Sequence, residues 1–211
     1  MNMSQYGLAA LHVNRHGRLI RRYFAGTFYI LKMGYPSVFQ LLSRVFAKAK
    51  VPGALIGGFA VNFYKVSRQT ADIDFIIKKE DFEKIAPLLE EAGYSASRYD
   101  LFARCTNHTL DRMDIDFLFV DETTLHRIID DGKAVKIAHR EFIVPSLQHL
   151  IALKLHALKY RASSGNNDLL DIVRLIGENG INYDDADFKA LCLKYGSESI
   201  YEKIQLLKRS A

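Results

Sequence analysis

Cysteine is scarce: Cys105 and Cys192 are the only two in 211 residues, and they form no CxxC pair. That excludes a disulfide framework and a cysteine-bearing zinc site, and it suits a reducing cytoplasm. Long apolar runs are missing as well. A transmembrane helix needs about 20 consecutive apolar residues, whereas the longest stretches here, such as residues 115–120, are short and already contain acids. Arg15, Arg18, Arg21 and Arg22 break up the N-terminal apolar stretches, so no signal peptide and no membrane partner are expected. Four prolines, no low-complexity tract and no repeat of solenoid period argue against long disordered segments and against arrays. With 49% hydrophobic and 25% charged residues, the composition is that of a globular protein with one good core or two small domains.

Acids are absent from the first 32 residues, which carry Arg15, Arg18, Arg21, Arg22 and Lys32. The other 24 basic residues are matched by 24 acids, so the whole net charge of +5 resides in that segment. It reads either as an arm for nucleic acid or membrane or as a poorly ordered extension, with Met33 as a natural start. The expected organisation is a basic N-terminal extension over 1–36, an α/β portion over 37–145 and a helical portion over 146–211.

Ser37 is a candidate N-cap for a helix carrying Val38, Leu41, Leu42, Val45 and Phe46, broken by Pro52-Gly53. Residues 54–56 form a short apolar strand stopped by Gly57-Gly58, and 59–66 a short helix. Ile73, Phe75, Ile76 and Ile77 make a strand around two aspartates. Asp81 is expected to cap the next helix, which ends near Gly93. Strands are expected over about 99–104 and 113–120, a helix over 121–131, a hairpin over 134–138 and 141–144, and four helices after Pro145.

Chemistry concentrates on Asp72 and Asp74. Residues i and i+2 of a strand share a face, so the two carboxylates project together while Ile73 and Phe75 point into a core. Paired carboxylates repel unless a cation lies between them, and Mg²⁺, which takes hard oxygen ligands, is the natural neutraliser. A strand end with two exposed acids is the plain alternative. Gly57-Gly58 between strand and helix would let backbone approach phosphates closely, or would simply make a tight turn. Arg68 and Thr70 place a cation and a hydroxyl just before the acids. A second pair, Asp114 and Asp116, lies in a later apolar strand that could adjoin the first. Lys154 falls on or beside the apolar stripe of the helix after Pro145, and Arg161 lies two turns further along. An inward cation needs a partner, which Asp168 and Asp171 could supply; the group is then an interhelical ion cluster or a held phosphate ligand. The histidines show no metal-ligand spacing such as HExxH.

Gly57-Gly58-x13-Asp72-x-Asp74, followed by a hydrophobic-Asp-hydrophobic strand, resembles the nucleotidyltransferase superfamily of the DNA polymerase β type. Gly-Gly-Phe-Ala-Val, Arg68-x-Thr70-x-Asp72-Ile-Asp74, and the run from Pro145 through Lys154 to Arg161, Asp168 and Asp171 are most similar to the AbiEii-type and aminoglycoside-nucleotidyltransferase-like branch. The resemblance covers roughly residues 38–178. It implies an α+β fold, with a small mixed β-sheet, flanking helices and a helical C-terminal portion. It implies transfer of an NMP from an NTP to a hydroxyl, with two Mg²⁺ ions at Asp72, Asp74 and a third acid. Asp116 is the choice for that acid, being followed directly by a short apolar run, and Asp114 is the alternative. Gly57, Gly58, Arg68, Thr70, Lys154 and Arg161 would bind the nucleotide, supported by Asp168 and Asp171. Where relatives often carry Lys or Arg before the position of Asp168, this chain has Asn167. The acceptor, whether small molecule, tRNA or protein, is not encoded in these motifs, and an antitoxin partner is part of the branch resemblance. A catalytically silent nucleotide-binding or interaction module of the same fold is the competing expectation.

Overall fold

In the computed structural model, the described residues are 37–107, 112–160 and 165–209, with two short strands near the N-terminus, β1 (His12–Val13) and β2 (Leu19–Ile20). Those two pair antiparallel. The rest of the expected 1–36 extension, and Arg161 and His108, lie outside the described residues.

The first described helix, α1 (Val38–Ala49), starts where Ser37 was expected to cap it: the Ser37 hydroxyl accepts the Gln40 N–H at 3.2 Å. It is followed by β3 (Ala54–Leu55), α2 (Gly57–Phe63), β4 (Asp72–Ile77), α3 (Lys79–Glu91), β5 (Ser95–Arg98), β6 (Phe102–Thr106) and β7 (Asp114–Phe119). Then come α4 (Glu122–Asp130), β8 (Lys133–Ile137), β9 (Arg140–Val144), α5 (Leu147–Tyr160), α6 (Gly165–Glu178), α7 (Ala186–Tyr195) and α8 (Glu198–Arg209). A seven-stranded sheet orders them β5-β6-β7-β4-β3-β9-β8. β4 lies parallel to β7 and β3 parallel to β9, and the remaining pairs are antiparallel, so the sheet is mixed. This is the α+β architecture that the sequence predicts, with every described element after β9 helical.

Strand parity decides what faces where. Ile73, Phe75 and Ile77 of β4, with Ile115 and Phe117 of β7, are fully buried in the main core beneath α1 and α3. Phe75 and Phe117 stack at 6.2 Å between centroids, and Phe46 of α1 meets Phe75 edge-on at 4.9 Å. The alternate residues, Asp72, Asp74, Asp114 and Asp116, therefore occupy the other face. On that face Ile76 joins Ala54, Ile56, Leu125 and Ile128 in a smaller apolar cluster with Leu118 and Leu153 packed against it. The main core continues into Leu150, Ile151 and Leu155 of α5, Ile172 and Leu175 of α6 and Ile204 of α8.

Two local expectations are corrected. Asp81 does not cap α3: Lys78 occupies that position, while Asp81 sits buried in the first turn with Lys84 Nζ at 2.6 Å. The strand expected at 99–104 is instead the turn and second arm of a hairpin, closed by the Tyr99 N–H donating to the Phe102 carbonyl at 2.9 Å. Its first arm, β5, is an edge strand whose Ser95, Ser97 and Arg98 are exposed, so it carries no apolar alternation to betray it.

Candidate active site

The parallel register of β4 and β7 sets Asp72 opposite Asp114 and Asp74 opposite Asp116. Oxygens of Asp72, Asp74 and Asp116 all lie within 4.8 Å of one another. Asp114 shares their parity but stands outside this group, and its Oδ1 accepts the backbone N–H of Asn107 at 3.2 Å. The Thr70 hydroxyl donates to Asp72 Oδ1 at 2.9 Å and orients that carboxylate. The trio lines a cleft of about 480 Å³, whose opposite wall is made by Leu150, Leu153, Lys154 and Ala157 of α5 with Asn167 and Asp168 of α6.

The two glycines are needed for different reasons. Gly57 opens α2 in the left-handed region, at φ +61, and a Cβ there would lie 1.8 Å from Asp74 Oδ2. Asp74 and this segment are tied together by the Ile56 N–H, which donates to the Asp74 carbonyl at 2.9 Å. Gly58 instead makes room for Thr70 and Arg68: its Cβ would meet Thr70 Cβ at 2.6 Å and Arg68 Nη1 at 2.8 Å. The loop that carries Arg68 is pinned by Asn62, which takes the Arg68 N–H at 2.8 Å and donates to the Arg68 carbonyl at 2.9 Å.

Across the cleft, Lys154 is 6% exposed and donates to Asp168 Oδ1 at 2.8 Å and Asp171 Oδ2 at 2.7 Å. Arg68 Nε approaches the same Asp171 oxygen at 3.5 Å. The expected partners of Lys154 are thus its partners, and Arg68 joins them from the sheet side.

Charge is unevenly distributed. Burial, then the neighbouring carboxylates Asp72 and Asp116, push the Asp74 carboxyl up to about 6, against the weaker opposing pull of Arg68 and Lys154. Arg104 of β6, opposite Asp116 in the antiparallel ladder, grips that carboxylate with both arms of its guanidinium, Nε to Oδ1 at 2.7 Å and Nη2 to Oδ2. Sequence reasoning passed over Arg104. Its one signal, alternation of Phe102, Arg104 and Thr106 on one strand face, acquires meaning only once β6 is known to pair with β7.

Three carboxylates with no nitrogen or sulfur donor among them are the ligand chemistry of a hard divalent cation, so the residues present fit such an ion. Among the described residues, no helix is long and apolar enough to cross a membrane.

No curated protein matches the sequence significantly. Among solved structures, the antibiotic-resistance factor ANT(2'')-Ia superposes with a TM-score of 0.55 at 13% identity, over 82% of this chain and 96% of that one. At that identity the likeness speaks to the fold alone. An antigenic nucleotidyltransferase-like protein from Paracoccidioides brasiliensis gives a TM-score of 0.48 at 13% identity, over 73% of this chain and 83% of that one. The profile of a family described as uncharacterised nucleotidyltransferase matches residues 39–210, from α1 through the acidic strands to the last helix. The chain belongs to that nucleotidyltransferase family.

Proposed function

We propose that the protein transfers the nucleoside monophosphate of an NTP to a hydroxyl of an acceptor, releasing pyrophosphate. The reading is carried by the convergence of Asp72, Asp74 and Asp116, oxygens within 4.8 Å, on a cleft large enough for a nucleotide. In the reaction the acceptor oxygen bonds to the α-phosphorus, the bond to the β-phosphate bridging oxygen breaks, and the hydroxyl proton leaves through a carboxylate or water. A divalent cation held by Asp72 and Asp74 would neutralise phosphate charge and align attacking and leaving oxygens. The protein's share is positioning and electrostatics.

Asp72 and Asp74 are assigned to the ion, with Thr70 holding Asp72 in place. Asp116, at the β6 side of the cleft, is assigned to the acceptor hydroxyl. Arg68, with 27% of its side chain exposed, is assigned to the triphosphate. Lys154 acts at one remove: buried among Asp168 and Asp171, it fixes the carboxylate that orients Arg68 and adds positive potential near Asp74. Gly57 and Gly58 are assigned to the nucleotide side of the cleft, where they leave room for Asp74, Thr70 and Arg68 to take their places. The narrower AbiEii-like reading, with an antitoxin partner, rests on the Gly57 to Val61 and Pro145 to Asp171 motifs.

Incubation with each α-labelled NTP, Mg²⁺ and cell extract tests the proposal. Label should enter one extract fraction with the wild type and not with Asp72→Asn/Asp74→Asn. A second reading, a silent nucleotide-binding module, draws support from the engagement of both Asp116 oxygens by Arg104. Calorimetric binding of Mg·NTP without label transfer or pyrophosphate release, across all four nucleotides and extracts, would favour that module.

A further inference from the structure

Three carboxylates at one point carry more negative charge than one divalent cation cancels, and the Arg104 guanidinium on Asp116 supplies a further cation. Arg104 is anchored on β6 directly opposite Asp116, so its guanidinium reaches the carboxylate without any shift of backbone. Each Asp116 oxygen accepts one guanidinium N–H, whereas Asp72 and Asp74 have no such partner among the described residues; Asp72 is held by the Thr70 hydroxyl. Lys154 is committed to Asp168 and Asp171, and Arg68 leans on Asp171.

The pair is poorly placed to serve the fold. The Arg104 side chain is 50% exposed, and exposed ion pairs add little stability. Its position, at the rim of the cleft and against the acid that completes the trio, is one where a fixed positive charge changes chemistry instead. With Arg104 in place, the cluster keeps two net negative charges, the complement of one divalent ion.

We infer that Arg104 is a built-in cation that takes the place of a second metal ion at Asp116, so that the acidic trio loads one divalent ion, at Asp72 and Asp74. The inference rests on the nucleotidyltransferase reading of the site but departs from the two-ion expectation that the sequence resemblance carries. Arg104 is then a positioning residue: its fork holds the Asp116 carboxylate aimed while repelling a further cation from it. A planar guanidinium does this with a fixed fork, which a lysine ammonium cannot reproduce.

The test is a Mn²⁺ titration of metal-stripped full-length protein, without nucleotide, followed by the electron paramagnetic resonance signal of free Mn²⁺. Wild type is expected to take about one ion per chain, and Arg104→Gln a second, or to bind it about tenfold tighter or more, because a unit charge at contact distance from the ligand is gone. Arg104→Lys, which keeps the charge and loses the fork, should fall between, and it serves in place of the glutamine variant should that one fail to fold. Asp72→Asn should lose the single ion of the wild type, which fixes Asp72 and Asp74 as its place, and retention of that ion would overturn the inference. Equal stoichiometry and equal affinity in wild type and the Arg104 variants would overturn the inference while leaving the metal site standing. Absence of Mn²⁺ binding in every variant would overturn the metal assignment of the trio together with it.

Discussion

Two charged clusters face each other across the cleft, and they are built on opposite plans. Lys154, Asp168, Asp171 and Arg68 alternate in sign, lie at 2.7–3.5 Å from their neighbours and leave Lys154 and Asp171 almost wholly buried. Asp72, Asp74 and Asp116 share one sign, and among the described residues the only direct ion pair that any of them makes is that of Asp116 with Arg104. The first cluster is closed on itself and ties α5 and α6 to the loop after α2. In the second, burial first and then the neighbouring carboxylates raise the Asp74 carboxyl, an unfavourable charge that a bound cation would relieve. Balanced charge marks structure, and unbalanced charge held in place by the fold marks a ligand.

The largest effect should come from discharging the acidic side. Asp74→Asn is expected to cut nucleotide transfer by about 10²–10³-fold or more, the scale on which loss of a transition-state charge stabiliser is felt. Its melting temperature should hold or rise, because a buried like charge is removed. Steady-state kinetics beside thermal denaturation checks both halves. A coupled loss of stability and activity would erase the contrast between the clusters.

Lys154→Met should do the reverse. It leaves Asp171 buried with Arg68 at 3.5 Å as its remaining cation among the described residues, and breaking a buried pair from one side costs about 3–5 kcal/mol. Urea denaturation measures it, and Lys154→Met/Asp171→Leu should recover much of the loss. If Lys154→Met lowered activity with stability intact, Lys154 would belong with the phosphate ligands rather than behind them.

Gly57→Ala tests the join between the two plans. The left-handed backbone alone costs about 1–2 kcal/mol for an L-residue, and the added methyl would have to displace Asp74 Oδ2 from 1.8 Å. Activity should therefore fall further than stability, measured on the same preparation.

The smallest effect is on pH dependence. In the folded protein the Asp74 carboxyl is pushed up to about 6 from the ordinary carboxylate value of 3.8, so between those values the native state binds the extra proton. Stability contributed by this group is thus present at low pH and is lost as pH rises from about 4 to about 6. Thermal melts of metal-free wild type minus Asp74→Asn across that range should show the negative slope, and Mg²⁺ should flatten it by favouring the ionised form.

Much of this was legible in order of residues. Asp72 and Asp74 had to share a strand face, the apolar residues between them had to be buried, and Ser37, Pro52 and Gly93 marked the ends of helices. The Lys154 partners could be named because an inward lysine on an apolar stripe requires acids nearby. Less legible was β5, an exposed edge strand with no alternation, and the buried role of Asp81, whose sequence position suits a cap as well as a first turn. Arg104 was invisible because its importance depends on its neighbour across a hairpin, and pairing leaves no mark on either strand alone.

The sequence by itself determined the acid pair, the glycine turn and the apolar faces, because periodicity and residue chemistry are local properties of the chain, while the α+β class came from the family resemblance that its motifs carry. Only tertiary structure decided between Asp114 and Asp116 as the neighbour within 4.8 Å, set Gly57 against Asp74, and delivered Arg104 to Asp116. Those are questions of register and distance between segments far apart in the chain. A register shift of two residues preserves every face while exchanging one aspartate for the other.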